Sequence, residues 1–377
     1  MKHKKLLLAV LPLYLLSGCK NNSYAIKGIS LIHELEFGGV YLTKTIDEFN
    51  KIGYAYGDSV DIAFSNGFLL EDLPYYNGYY VDAGTPLLVG YPGYDYIKAA
   101  INYGDDMWEV AHLSEGDTGT ITLHEKAKYL DIQNASDIHY YDEREKYSSD
   151  EEFANFRNVR VGNIKEGVLY RSASPCDNKH NRASYTDRLM EQAGVRFILN
   201  LADTKEKIDG YIAAPDFNSP YFLSLYRNEL LFLAASNEEH IEPLAMNMNY
   251  RSEDFAKKLG QGLKRMASSS GPILIHCLEG KDRTGFVLIV LEALLGATYQ
   301  EIVDDYMLTY QNYYGIDRDD PRYEILKARN VDAMLSFITN DQIDITKDPL
   351  VKGAKDYLLF AGLKAEEIET IIARLQG

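Results

Sequence analysis

Cysteine is almost missing from this chain, with three in 377 residues, at positions 19, 176 and 277. So sparse a set excludes a disulfide-built scaffold, and the fold must rest on its apolar core. Tryptophan occurs once, at Trp108, and the eight histidines are scattered. None of them pairs with cysteines or carboxylates at ligand spacing, so neither a metal nor a cofactor is expected. Basic residues are outnumbered, 39 Lys and Arg against 56 Asp and Glu, which gives a net charge of −17. A surface of that sign repels nucleic acid and anionic lipid and excludes polyanion binding as the main task. Beyond Leu16 no apolar run approaches the length of a membrane span.

What is present falls into distinct stretches. Lys2, His3, Lys4 and Lys5 precede the apolar run Leu6 to Leu16 and then Leu16-Ser17-Gly18-Cys19. That order is a charged n-region, an h-region and a small-residue cleavage site, removed on export as residues 1–18. Loss of its three lysines takes the mature charge to −20. Residues 19–135 are rich in Tyr, Gly and Asp. Short alternating runs such as Val60-Asp61-Ile62-Ala63-Phe64 are separated by turn signals such as Ser65-Asn66-Gly67. The pattern predicts a small all-β domain, a barrel or a sandwich. The cluster Tyr75-Tyr76-Asn77-Gly78-Tyr79-Tyr80 suits strand packing, or stacking on a sugar ring or partner. Residues 136–155 are acidic and read as a linker or an exposed helix. From 156 to 377 strands alternate with helices, which predicts a mainly parallel sheet flanked by helices. The expected strands are Val168–Ser172, Val195–Leu201, Glu242–Met248 and Pro272–His276. The expected helices include Ala183–Gln192, Ser252–Ala267 and Thr284–Leu295, then one opened by Thr298 and one running from Asp320-Pro321 through Phe337. Pro215 to Glu239 is a long insertion, read equally as a lid or as a surface excursion.

The most informative stretch is His276-Cys277-Leu278-Glu279-Gly280-Lys281-Asp282-Arg283-Thr284-Gly285. It joins a buried strand to an apolar helix, where backbone N–H groups and the helix dipole favour an anion. A cysteine at a helix N-terminus beside cations is the usual setting of a nucleophilic thiolate. Arg283 offers a rigid fork for two phosphate oxygens. Thr284 is placed to bond the thiolate or assist hydrolysis, and His276 to steady the loop through the backbone. These parts suit attack of sulfur on phosphorus, a phosphocysteine intermediate and its hydrolysis.

The stretch resembles the signature loop of cysteine-dependent protein tyrosine phosphatases. Gly280-Lys281-Asp282-Arg283-Thr284 is similar to the bacterial dual-specificity and phosphoinositide branch. Phe156-Arg157-Asn158-Val159, Val168-Leu169-Tyr170-Arg171-Ser172 and Asn200-Leu201-Ala202-Asp203 extend the resemblance over roughly residues 153–377. It implies an α/β tyrosine phosphatase-like fold with Cys277 as nucleophile, Arg283 as phosphate clamp and Asp282 as general acid. Leu278, Glu279, Gly280, Lys281 and Thr284 would surround the substrate, with His276, Asp203 and Arg171 in support. No Trp-Pro-Asp motif is present, and Asp203, Asp216 and Asp254 are rivals to Asp282 for the acid. A phytase-like inositol-polyphosphate phosphatase is the alternative enzyme, and a phosphate-binding pseudoenzyme acting through its β-domain the alternative class. A rhodanese-like loop fits the full Gly-Lys-Asp-Arg-Thr run poorly. Leu16-Ser17-Gly18-Cys19 resembles a bacterial lipobox, which implies lipidation at Cys19 and a tether in the cell envelope outside the cytoplasm. Lys20 after the cysteine points to the outer membrane. Expected partners are a phosphorylated protein or a small phosphoester or phosphoinositide, and the membrane through the lipid. Cys176 is either a core residue or a redox partner of Cys277. Tyr91-Pro92-Gly93-Tyr94 to Asp105 and Glu115-Gly116-Asp117 resemble the C-terminal β-barrel of S-adenosylmethionine hydroxide adenosyltransferases, without that family's N-terminal domain or activity.

Overall fold

The computed structural model describes residues 25–228 and 240–377. The expected signal segment with Cys19, and residues 229–239 of the expected insertion, lie outside the described residues. Seven strands form the first unit: β1 (Ile26–His33), β2 (Val40–Leu42), β3 (Ser59–Phe64), β4 (Leu69–Tyr76), β5 (Pro86–Val89), β6 (Ile97–Ile101) and β7 (Thr118–Glu125). They close in the order β1-β2-β6-β5-β4-β3-β7, so the β-domain is a barrel and not a sandwich. All pairs are antiparallel except β4 with β5. Closure follows from alternation: Val60, Ile62 and Phe64 of β3 point inward and are buried, while Ala63 faces solvent. Phe49, stacked on Tyr54 at 4.1 Å between ring centroids, fills the interior.

The second unit is a five-stranded sheet of β8 (Arg157–Asn158), β9 (Leu169–Ser172), β10 (Phe197–Asn200), β11 (Ile241–Pro243) and β12 (Ile273–His276), in the order β11-β10-β12-β9-β8. Every pair is parallel except the edge pair β8 with β9. β10 and β12 are buried throughout, which is why Phe-Ile-Leu-Asn and Ile-Leu-Ile-His read as unbroken runs and not as alternation. Helices Glu253–Ser268 and Asp282–Leu294 cover one face, packing on Leu199, Ile273 and Ile275. Helices Ala183–Gln192 and Pro220–Tyr226 cover the other, packing on Ile198 and Leu274. No helix of the described residues is long and apolar enough to cross a membrane.

Three elements differ from expectation. β11 stops at Pro243 instead of running to Met248, because proline gives the ladder no N–H and Ala245 turns the chain away at φ +46°. The helix expected from Asp320 to Phe337 is split into Tyr323–Lys327 and Ala333–Thr339 by a π-turn at Ala328–Asp332. Of the insertion, Pro220–Tyr226 forms a helix that buries Phe222 and Leu225 in the core.

The acidic segment 136–155 packs against the second unit. Arg182, 3% exposed, lies 4.8 Å from the Tyr140 ring, 4.7 Å from Phe153 and 4.9 Å from Tyr313. The same guanidinium donates to the carbonyls of Phe153, Tyr141 and His180. Charge in the sequence of this segment disguised the aromatic residues that bury it: Tyr147 and Phe153 join Tyr313 in a core cluster of their own.

Candidate active site

Cys277 follows β12 directly, and the chain makes one short loop before helix Asp282–Leu294 begins. The loop is fixed from outside through its carbonyl oxygens. That of Cys277 faces His276 Nδ1 at 3.0 Å, and that of Leu278 accepts from the Ser174 N–H at 2.9 Å. The Glu279 carbonyl accepts from the Tyr313 hydroxyl at 2.8 Å, and that of Gly280 from Arg171 Nη2 at 2.8 Å and Asn155 Nδ2 at 3.2 Å. Four consecutive carbonyls are thus turned away from the hollow. The N–H groups from Leu278 to Thr284 meet no acceptor among the described residues. A run of inward N–H groups at a helix N-terminus is an anion cradle. Gly280 makes the turn at φ +68°, and a Cβ there would lie 2.2 Å from the Ser172 carbonyl oxygen, so only glycine fits.

Behind the loop lies a buried charge cluster. Asp305 faces Arg171 at 2.5 Å and Arg157 at 2.8 Å. Burial alone would raise its pKa, but the two guanidinium groups hold it well below the carboxylate range. Glu292, 1% exposed beside them, has its pKa pushed well up by burial and by the charge of Asp305. Arg171 therefore carries out two tasks, closing this cluster and gripping Gly280.

Cys277 is 3% exposed and Thr284 fully buried, its hydroxyl unpaired among the described residues. His276 is lowered to about 4 by burial, so its imidazole is neutral and donates from Nδ1 to the Cys277 carbonyl. The Arg283 guanidinium donates Nη1 to the Met246 carbonyl at 3.0 Å, while its Nε is buried and unpaired among the described residues. Lys281 Nζ lies 3.6 Å from Glu279 and 3.9 Å from Asp282 and donates to the Tyr314 hydroxyl at 3.1 Å. Burial pulls its pKa down, yet Asp282, Tyr314 and Glu279 together hold it well above the usual range. Glu279 also accepts from Tyr140 at 2.9 Å, which ties the acidic segment to the loop.

The four carboxylates weighed as proton donor occupy different places. Asp282 lines, with Arg283, a cleft of about 520 Å³. Burial raises its pKa, against the pull of Lys281, although 39% of its side chain remains exposed to the cleft. Asp203 is 4% exposed and held by Asn200 Nδ2 at 3.1 Å and the Tyr211 hydroxyl at 3.3 Å. Asp254 is exposed in the first turn of its helix and pairs with Lys258 at 3.1 Å. Asp216 lines a separate cavity of about 220 Å³ together with Cys176. Cys176 is a free thiol packed with Ile198 and Leu274 on the sheet face opposite to that of Cys277, and burial raises its pKa. The two cysteines are not bonded.

Sequence patterns did not single out Asn155, Ser174, Tyr140 and Tyr313, which hold the loop. Asn155 alone left a trace, immediately before the Phe156-Arg157 motif.

Residues 151–376 match the model of a tyrosine phosphatase family, which is more than half of the chain. The protein belongs to that family. A protein of Cupriavidus necator, provisionally named a tyrosine-protein phosphatase, is 26% identical over 164 residues, 39% of this chain and 55% of its own. The chain thus spans about half the length of the curated relative it matches. Among solved structures, the core catalytic domain of the PP-IP phosphatase SIW14 from S. cerevisiae, in complex with citrate, is 17% identical. It covers 49% of this chain and 96% of its own at a TM-score of 0.25. TpbA from P. aeruginosa is 13% identical and covers 58% and 96% at a TM-score of 0.22. At TM-scores this low nothing further rests on them.

Proposed function

We propose that the protein hydrolyses phosphomonoesters through a phosphocysteine intermediate, as a lipid-anchored phosphatase of the bacterial cell envelope. The reading is carried by one observation: the loop beginning at Cys277 turns four consecutive carbonyls outward and leaves its N–H groups facing in. Such donors, with the Arg283 fork, stabilise the charge on the three equatorial oxygens of a phosphoryl group in transfer. The Cys277 thiolate attacks phosphorus in line, the S–P bond forms and the P–O bond to the leaving group breaks. Asp282 gives the departing oxygen its proton. Water then attacks the phosphocysteine, Asp282 takes the water's proton, and the thiolate leaves, with Thr284 donating to it. No cofactor enters this scheme.

Dual specificity over phosphotyrosine, phosphoserine and phosphothreonine, or toward a phosphoinositide, belongs to the same proposal and rests on the Gly-Lys-Asp-Arg-Thr run. For the anchor, the support is the order of n-region, h-region and Leu16-Ser17-Gly18-Cys19. More than one acyl chain on Cys19 gives stable attachment, and Lys20 favours the outer membrane. The barrel is read as an accessory domain similar to the C-terminal barrel of S-adenosylmethionine hydroxide adenosyltransferases, with no activity carried over.

Cys277→Ser and Arg283→Met should each abolish turnover of para-nitrophenyl phosphate while circular dichroism stays native. Rapid quenching of the wild type with a labelled phosphoester should trap phosphate on Cys277. Full activity in Cys277→Ser refutes the mechanism. Cys19→Ala should release the protein from the membrane fraction, and retention of the variant there refutes the anchor.

A further inference from the structure

The cleft of about 520 Å³ beside the loop is shared between the two units. One side is the loop itself, with Glu279, Lys281, Asp282 and Arg283. The other comes from the barrel and includes Tyr80, Asp82, Asn102 and Tyr103. The barrel is held there by direct bonds. Arg329 Nη2 donates to the Tyr80 carbonyl at 2.7 Å, Asn249 Nδ2 to the Tyr103 carbonyl at 3.3 Å, and Arg251 lies 3.5 Å from Asp82. Tyr103 is held at φ +45°, a left-handed conformation unusual for an aromatic residue, and is 54% exposed. Asn102 braces the neighbouring chain through its bond to the Val81 carbonyl at 2.6 Å. Strain of this kind collects where a fold commits a side chain to a task. The charges of both Asp282 and Arg283 reach the Tyr103 hydroxyl, so the barrel residue and the loop share one space.

Size and charge restrict what this space admits. Its volume lies in the range of small-molecule pockets, well above the needs of a lone phosphate. Lys281 is already matched by Glu279 and Asp282, and Asp82 faces Arg251. Arg329, on the far wall, is turned to the Tyr80 carbonyl, and at the loop Arg283, with the N–H groups, is left to meet one phosphate. Further phosphates on a ligand would meet Glu279 and Asp282. Away from the loop the walls are mostly tyrosine rings, amides and apolar side chains, with Asp82 facing Arg251 and Arg329 bonded to the Tyr80 carbonyl, a lining that suits the faces of a ring with neutral polar substituents.

We propose that the barrel forms the second half of the substrate site, with Tyr103 stacking on the ring of a small phosphomonoester that carries a single phosphate. This rests on the phosphatase reading for the placement of the phosphate in the loop. Among the phosphomonoesters that reading leaves open, it narrows the preferred substrate to a small ring-bearing monophosphate over a protein or a polyphosphorylated ligand.

The test uses the full chain. Calorimetric titration of 1-naphthyl phosphate into Cys277→Ser measures binding without turnover, and inorganic phosphate serves as the loop-only probe. Tyr103→Asn removes the ring while keeping a residue that tolerates the left-handed backbone, and Tyr103→Phe keeps the ring. In the Cys277→Ser background, Tyr103→Asn should weaken 1-naphthyl phosphate about five- to tenfold and leave inorganic phosphate unchanged, while Tyr103→Phe should bind like the parent. Equal affinity with and without the ring, or no binding of 1-naphthyl phosphate at all, overturns the barrel's part. On the wild type, a kcat/KM for a phosphotyrosine peptide or inositol hexakisphosphate tenfold above that for 1-naphthyl phosphate overturns the substrate class. Ring-dependent binding with no turnover of any of these by the wild type would instead strike the phosphatase reading and spare the wall.

Discussion

Replacing Gly280 by alanine tests how tightly the loop is built. Two costs add. A left-handed residue with a Cβ costs about 1–2 kcal/mol, and Gly280 sits at φ +68°. The new carbon would also lie 2.2 Å from the Ser172 oxygen and 2.4 Å from its carbonyl carbon, both backbone atoms at the end of β9. Backbone cannot swing aside as a side chain can, so the loop must retreat by about an ångström. Overpacking of this order costs about 1–3 kcal/mol. Together they destabilise by about 2–5 kcal/mol, a large part of the 5–15 kcal/mol that holds a typical domain. Gly362→Ala is the matched control, because Gly362 has φ +86° and nothing within 4 Å of its Cβ position. It should lose only the first cost. Urea unfolding of both variants isolates the clash by difference. Hydrolysis of para-nitrophenyl phosphate should fall about 100-fold in Gly280→Ala, as expected for a misplacement of about 1 Å. If Gly280→Ala unfolds with Gly362→Ala and keeps activity within about threefold of wild type, the account of the loop is wrong.

Other expectations concern protons and charge. His276 is neutral in the folded protein, with its pKa lowered to about 4 from 6.5. The unfolded imidazole takes up a proton first, so stability is present above pH 6.5 and is lost as pH falls from there toward about 4. Urea unfolding across that window should show the loss, and His276→Asn should flatten it. Asp282, with its raised pKa, must be protonated to give the leaving group its proton, so kcat/KM should fall as pH rises through that pKa. Asp282→Asn should lower kcat/KM, which reports the step that expels the leaving group, about 100-fold for phenyl phosphate but little for para-nitrophenyl phosphate, whose leaving group needs no proton; equal effects on both rule the acid role out. Arg171→Met leaves the Gly280 carbonyl without its main donor and Asp305 with one cation. A loss of about 3 kcal/mol is expected, together with reduced turnover, measured by urea unfolding and by aryl phosphate hydrolysis.

The sheet was legible because its strands are short apolar runs bounded by Gly, Pro and helical periodicity, and β12 leads straight into the loop from Cys277 to Arg283. The barrel was legible as β structure from alternation and turns, but closure depends on pairing β1 with β7, which no local pattern records. Tyr75 and Tyr76 are buried core residues, whereas Tyr79 and Tyr80, in the same run, line the cleft. Composition cannot separate such neighbours, since burial is decided by the partner strand. The supports of the loop were illegible for a similar reason. Asn155, Ser174 and Tyr313 act from separate elements, and their bonds to the loop exist only after the sheet and helices have assembled. The π-turn at Ala328–Asp332 leaves no mark in apolar spacing either.

Arg182 makes the acidic segment inseparable from the second unit. Starting the protein at residue 156, where the strand pattern begins, would strip Tyr140, Tyr147 and Phe153 from around that guanidinium and leave Tyr313 as its one remaining aromatic wall. It would also remove Tyr140 from Glu279 and Asn155 from Gly280. A cut there passes through the candidate site's own scaffolding, so an inactive fragment of that kind would report on where it was trimmed and not on what the whole chain can do.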